Sequence, residues 1–410
     1  MAQIKPYPLY PAQNELVNMD LRDYEELVSW LSDGPEWWQQ SWSWGQQFLK
    51  FIARNKSVHT YIRFRSEIEK LLLWTFLVAD KPVDSLKKVD VLDYSEFFYK
   101  PPVHWICLNN HEKFSFVNGA FVRNPSWAPF RFVSQSKEPT EADKKKYRPS
   151  LQSMNAMFTA IVAFYKYLMD EEACYGNPAQ LAKKDCKRLV KDAQVKDVKR
   201  LSPDQWDLLL LTAKEMADED PLYERNLFLL AALKTLFLRI SELSERPDWI
   251  PVMSHFWSDN QDNWWLKIFG KGRKIRDITV PDEFLGYLRR YRQHRGLPGL
   301  PGKREQEPII EKIRGAGGMT SRQLARLVDA VIDQTFDVVR QQSGYEEAQI
   351  FKDMTTHWLR HTGASIEIDR GRALKDVSED LGHSSMATTD TIYVQTDQKQ
   401  RAASGKNRSV

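Results

Sequence analysis

Four places in the second half of this 410-residue chain put polar groups into text that otherwise reads as core. Leu236-Phe237-Leu238-Arg239-Ile240 sets an arginine directly after a buried-looking helix, with Glu242 close behind, and arginine is almost never buried without a partner. A turn carries Lys271, Arg273 and Lys274. Thr355-Thr356-His357-Trp358-Leu359-Arg360-His361 opens a helix with His357 and Arg360 three apart, hence on one face. Leu381-Gly382-His383 follows, and Tyr393 comes ten residues after that histidine. Each alone has an ordinary explanation: a solvated turn lysine, a packed histidine, a half-buried ring. Together they suit one chemistry. Arg239, Arg360, His357 and His383 could surround an anion, Lys271 could deliver a proton and Tyr393 could attack. A phosphodiester under attack gathers negative charge on its equatorial oxygens, which two guanidiniums and an imidazolium would match without a metal. A tyrosyl phosphate ester conserves the bond energy, so such a reaction needs no ATP. A phenol of pKa near ~10 needs a base or a positive field to ionise, and a sugar 5′-oxygen leaves well only when protonated. His357 and His361, four apart, lack the intervening carboxylate of a zinc helix, so no metal site and no cofactor is expected.

These groups need a scaffold. Ser202-Pro203 reads as a helix start, with helical text through 204–216 and 222–238. Residues 262–280 switch to short β-rich runs around Gly270-Lys271-Gly272-Arg273-Lys274, the pattern of a hairpin. Helices are expected again over 283–295, 320–342, 355–369, 373–381 and 387–394, before a polar tail at 395–410.

The first half reads differently. Residues 1–34 suggest an extended arm, punctuated by Pro6, Pro8 and Pro11, followed by a short helix. Residues 35–182 suggest a helical domain, with apolar positions at three- and four-residue steps over 44–78 and 151–169 and an irregular insert at 100–148. The tract holding Trp37, Trp38, Trp42 and Trp44 could stack on bases, but packing in a core is the plainer reading. Every charge between Trp44 and Ser66 is positive, so Lys50, Arg54, Arg63 and Arg65 are candidates for a nucleic-acid backbone. Residues 183–200 hold eight Lys or Arg against three Asp. Lys183, Lys184, Lys187 and Arg188 there read as a basic linker strapped along phosphates, rather than a linker merely kept soluble by charge. Arg273 and Lys274 join the same set.

Composition narrows the class. An apolar fraction of 42% with 12% aromatics supports packed cores and excludes wholesale disorder. The net charge of +4 is too small to name a partner on its own. Neither apolar run, 71–79 nor 227–233, approaches the ~18 residues of a membrane span. The N-terminus lacks a signal-like apolar segment, and three cysteines without a C-x-x-C pair fit a reducing compartment. The expectation is a soluble, cytoplasmic, nucleoid-associated protein with no membrane partner.

Leu238-Arg239-Ile240-Ser241-Glu242-Leu243, Gly270-Lys271-Gly272-Arg273-Lys274 leading to Val280-Pro281, His357-x-x-Arg360-His361-Thr362, and Leu381-Gly382-His383-Ser384-Ser385 with Tyr393 resemble, in order and spacing, the catalytic domain of tyrosine recombinases, the phage-type integrases. The resemblance implies a mainly α fold with a small β-sheet in a catalytic domain over 201–394, joined to a helical, SAM-like core-binding domain, the two forming a clamp on double-stranded DNA. It implies that Arg239 and Arg360 hold the scissile phosphate, that His357 and His383 assist, and that Lys271 protonates the leaving 5′-oxygen. Tyr393 would form a 3′-phosphotyrosyl link, and Glu242 would support the site. Strand exchange would run through a homotetramer on two DNA sites, in integration or excision of a mobile element, with an accessory DNA-bending protein as a further partner. A type IB topoisomerase and a catalytically inactive DNA-binding relative are the alternatives. Phe237 stands where the family commonly has Gly, the interval from His383 to Tyr393 is ten residues rather than the usual nine, and Lys274 competes with Lys271 as the acid.

Overall fold

The chain packs into two compact units, residues 1–194 and 195–410, each around its own hydrophobic core. The structure is a computed structural model and describes residues 5–133, 140–189, 199–270, 274–383 and 406. Lys271, Arg273, Tyr393 and the helix expected over 387–394 lie outside the described residues.

The first unit holds α1 (Gln13–Val17), α2 (Glu25–Ser32), α3 (Glu36–Asn55), α4 (Val58–Trp74), α5 (Lys88–Tyr99), α6 (Leu151–Asp170) and α7 (Pro178–Asp185). The helical text of 44–78 is broken at Ser57, whose hydroxyl accepts the Thr60 amide and caps α4. Trp38 and Trp42 are buried, so the tryptophan tract is core. Among the described residues, 5–34 pack into the first unit and do not stand off as the arm expected over 1–34. Tyr7, Leu9, Tyr10, Leu16, Tyr24, Leu27 and Leu31 all belong to the same hydrophobic core as the helices. The buried Glu69 carboxylate accepts the Leu9 amide at 2.7 Å, so a backbone N–H of this irregular, proline-rich stretch is satisfied by a side chain instead of by secondary structure.

The insert also has order. Strand β1 (Ile106–Cys107) pairs in parallel with β4 (Phe130–Arg131), and β2 (Phe114–Val117) forms a hairpin with β3 (Ala120–Arg123). Asn118 and Gly119 between the last two both take positive φ, the demand of a two-residue hairpin turn. Of the linker expected over 183–200, the first described part is not extended. Ala179, Ala182 and Cys186 are buried in the first unit, and Arg188 pairs with Glu96, so 183–189 are folded rather than strung out.

In the second unit Ser202 caps α8 (Pro203–Glu219), accepting from the Gln205 amide. Nearly every side chain of α9 (Glu224–Thr235) is buried, which makes it the central helix. Strands β5 (Phe256–Ser258), β6 (Trp264–Phe269) and β7 (Ile275–Val280) form an antiparallel sheet in sequence order, with Phe269 opposite Ile275 at the hairpin end. The helices α10 (Asp282–His294), α11 (Ser321–Ser343), α12 (Tyr345–Asp353), α13 (Thr356–Asp369) and α14 (Leu374–Leu381) follow. The observed fold is thus mainly helical with small sheets, as expected.

Helices α9 and α13 touch through Gly363. A Cβ built there would lie 1.9 Å from the Lys234 carbonyl oxygen. Only glycine permits that approach, so Gly363→Ala should force the helices apart and destabilise this unit by about 1–3 kcal/mol. Urea unfolding monitored by far-UV circular dichroism would measure it, and an unchanged midpoint would refute the close contact.

Candidate active site

Helix α9 ends by an unusual route. Its C-cap is Leu236, Phe237 then takes φ +50, and the Leu238 amide donates back to the Leu233 carbonyl at 3.2 Å. This is the Schellman ending that normally recruits glycine. A left-handed phenylalanine costs on the order of 1–3 kcal/mol, and burial of its ring against Ala364, Val377 and Leu381 compensates. The departure noted at Phe237 therefore changes the residue and keeps the glycine-like backbone. Helix α14 ends the same way, with Gly382 at φ +63 and the His383 amide donating to the Ser378 carbonyl. Arg239 and His383 are thus each delivered just after a helix is stopped short.

Arg360, on α13, joins the two stops. It is 1% exposed, and its guanidinium donates from Nη1 to the Phe237 carbonyl and from Nη2 to the Leu381 carbonyl. Both acceptors lie at helix C-termini, where the partial negative charge favours a buried cation. Nη2 also lies 3.4 Å from His383 Nε2. A guanidinium only donates, so Nε2 accepts and the proton of the neutral ring sits on Nδ1.

Glu242 organises the other side. Its carboxylate, 1% exposed, accepts the Arg239 amide at 2.8 Å and Arg239 Nη1 at 3.1 Å. Arg276 on β7 then donates to both oxygens, at 2.9 and 3.1 Å. Burial alone would raise this carboxyl pKa. The Arg276 hydrogen bond and charge, the Arg239 amide and the Arg360 charge outweigh burial and hold it low. Three guanidiniums thus surround one carboxylate, leaving excess positive charge beside the half-buried Arg239.

The histidines answer to that field. Burial and then the Arg360 and Arg239 charges push His383 from the usual 6.5 down to about 4. Partial burial and the same two arginines lower His357, and burial with His357 and Arg360 takes His361 to about 4. Arg239, Arg360, His357 and His383 are therefore brought together as expected. Burial first, and then the two guanidinium charges, work against the imidazolium expected from the sequence. For His361 and His383 the folded pKa lies below the unfolded one, so their contribution to stability is present above about pH 6.5 and lost as pH falls toward 4. Urea midpoints should fall between neutral pH and about pH 5, and His361→Gln should flatten that dependence.

Lys274 is exposed at the end of the hairpin, where its carbonyl accepts the Gly270 amide at 2.8 Å. In the first unit Arg54, Arg63, Lys184, Lys187 and Arg188 are exposed, while Lys50, Arg65 and Lys183 are half-buried. Arg188 is occupied locally, clasping Glu96 and lying 3.9 Å from the Tyr99 ring centre. His357 and His361 meet edge to face at 4.5 Å. Sequence reasoning missed Arg276, although a signal existed: it shares the inward phase of β7 with the buried Ile278 and Val280. It also missed Asp380, which is 4% exposed and accepts the Thr279 amide, the Thr279 hydroxyl and Arg372.

Residues 199–400 match the phage integrase family. The tyrosine recombinase XerC of Leptospira interrogans is 27% identical over 252 residues, covering 61% of this chain and 70% of that protein. The tyrosine recombinase XerD of Pseudomonas aeruginosa is 33% identical over 185 residues, covering 45% and 53%. Among solved structures, XerH recombinase bound to palindromic difH substrate shares the fold with a TM-score of 0.54 at 14% identity, covering 96% of this chain and 92% of that one. The Tn1549 transposon integrase with transposon right-end DNA gives 0.55 at 17% identity, covering 88% and 98%. Through its second unit the chain belongs to the tyrosine recombinase family. It is an enzyme of site-specific recombination. No helix among the described residues is long and apolar enough to cross a membrane.

Proposed function

We propose that this protein binds double-stranded DNA and cuts it at a defined site through a 3′-phosphotyrosyl intermediate, then exchanges strands between two duplexes. The clustering of Arg239, Arg360, His357 and His383 within one another's electrostatic reach, around the buried Glu242, supports this reading. In the first step the Tyr393 phenolic oxygen attacks phosphorus and releases its proton to water, its ionisation favoured by the positive field of Arg239 and Arg360, which also neutralise the equatorial oxygens. The 5′-oxygen leaves with a proton from Lys271, with Lys274 as the alternative donor. Rejoining runs these steps backward with a 5′-hydroxyl from the partner strand. The exposed cations of α3, α4 and α7 supply phosphate contacts that set affinity, not sequence choice. The domain roles follow the two units, and the working assembly is a homotetramer on two sites. The Xer relatives and the fold likeness to a transposon integrase support integration or excision of a mobile element over plain DNA relaxation.

The test is a nicked suicide substrate taken from DNA flanking the coding region. Covalent protein–DNA adducts that persist in EDTA, together with recombinants from a two-site substrate, are the expected result. Relaxation of supercoiled DNA without recombinants would overturn strand exchange in favour of a topoisomerase, and binding without any adduct would point to an inactive relative.

A further inference from the structure

We infer that Arg276 is a positioning residue for the phosphate clamp, acting through Glu242 on Arg239. This rests on the function proposed above. Three observations carry it. First, Arg276 presents a two-pronged donor pair to the Glu242 carboxylate, whose remaining hydrogen bonds go to the Arg239 amide and side chain. Glu242 therefore cannot turn without taking the clamp with it. Second, Arg276 Nε donates to the Asp380 carbonyl at 3.1 Å, in the last turn of α14, so the same guanidinium ties the Arg239 segment to the helix that leads into His383. Third, the site is shaped around it: a Cβ on Gly270 would lie 2.7 Å from Arg276 Nη1, and one on Gly382 would lie 2.9 Å from its Cδ. Glycine stands at both places where the hairpin and the α14 stop close over this side chain.

A strut with this geometry has to be arginine. Lysine would keep the charge near Glu242 but offers a single nitrogen on a flexible stem, which cannot satisfy two carboxylate oxygens and the Asp380 carbonyl in one plane. Arg276 itself reaches no reacting atom in this reading. Its effect is on where Arg239 sits, and a displacement of about 1 Å in a charge-stabilising group costs on the order of 10²-fold in rate.

The experiment compares wild type, Arg276→Lys and Arg276→Gln on two nicked suicide substrates of the same sequence. One carries the normal phosphodiester at the cleavage position, and the other a methylphosphonate, which lacks the negative non-bridging oxygen that the clamp neutralises. On the phosphodiester, both variants should form covalent adduct about 10²-fold more slowly than wild type, with DNA binding unchanged. On the methylphosphonate the deficit should shrink to a few-fold, because a neutral centre asks little of Arg239. Equal deficits on both substrates would mean a general structural role and overturn the inference, as would Arg276→Lys at wild-type rate on the phosphodiester. Thermal unfolding of each variant identifies one that fails to fold, and the lysine variant, which keeps charge and bulk, then decides. Failure of the wild-type protein to form any adduct would instead count against the underlying function, so the two failures are distinguishable.

Discussion

Tyr393→Phe should abolish covalent DNA linkage while leaving DNA affinity within about ten-fold, since one lost hydroxyl hydrogen bond is worth only ~0.5–1.5 kcal/mol. The asymmetry follows from chemistry. In the proposed reaction the phenolic oxygen is the atom that becomes bonded to phosphorus, and no other tyrosine follows His383 in the sequence to replace it. Binding draws on dispersed phosphate contacts, each a small share of the total. The measurement pairs an adduct gel on the nicked substrate with a mobility-shift titration. Residual adduct in the variant would move the nucleophile elsewhere, and a collapse of binding would assign the ring to the interface.

Arg360 should show the second-largest effect, of a different kind. Arg360→Ala removes a charge that satisfies the Phe237 and Leu381 carbonyls at once. Each carbonyl left unsatisfied costs ~1–3 kcal/mol, so this variant should lose stability as well as activity. Arg360→Lys separates the two roles. It retains the buried charge and most of the bulk, so it should fold, but the planar fork that spans both helix stops is gone. Adduct formation should fall by about 10²–10³, the usual cost of one donor to a developing oxyanion. A lysine variant with wild-type rate would show that charge alone is sufficient and that bridging α9 to α14 does not matter. Measuring thermal stability beside single-turnover cleavage keeps the two effects apart.

Much of the site was legible because its chemistry imposes residue types at helix starts and stops. Arg239 after a helix, His357 and Arg360 one turn apart, and Leu381-Gly382-His383 are local patterns, and their backbones follow local rules of capping and left-handed termination. The hairpin of β6 and β7 was likewise readable from the glycine-bearing turn between its short β-rich runs. What failed to read was anything set by distant partners. The proline-rich start looked like a free arm because local sequence cannot reveal that Glu69, some sixty residues away, accepts its Leu9 amide. The insert at 100–148 looked irregular because strands of two to four residues are too short to show a period. The basic stretch from 183 looked extended because charge dominates its composition, whereas three small side chains, Ala179, Ala182 and Cys186, fix its fold.

Sequence alone settled the class of enzyme and the helical character of both halves, and it named the groups proposed to hold the anion. Those are written in residue type and short spacing, which neighbouring residues determine. Tertiary structure decided the protonation of His383, the burial of Arg360 across two helix ends and the place of Arg276 behind Glu242. Each of these depends on the distance between charges from segments far apart in the chain, and Coulomb energies and desolvation are functions of that distance, not of sequence separation.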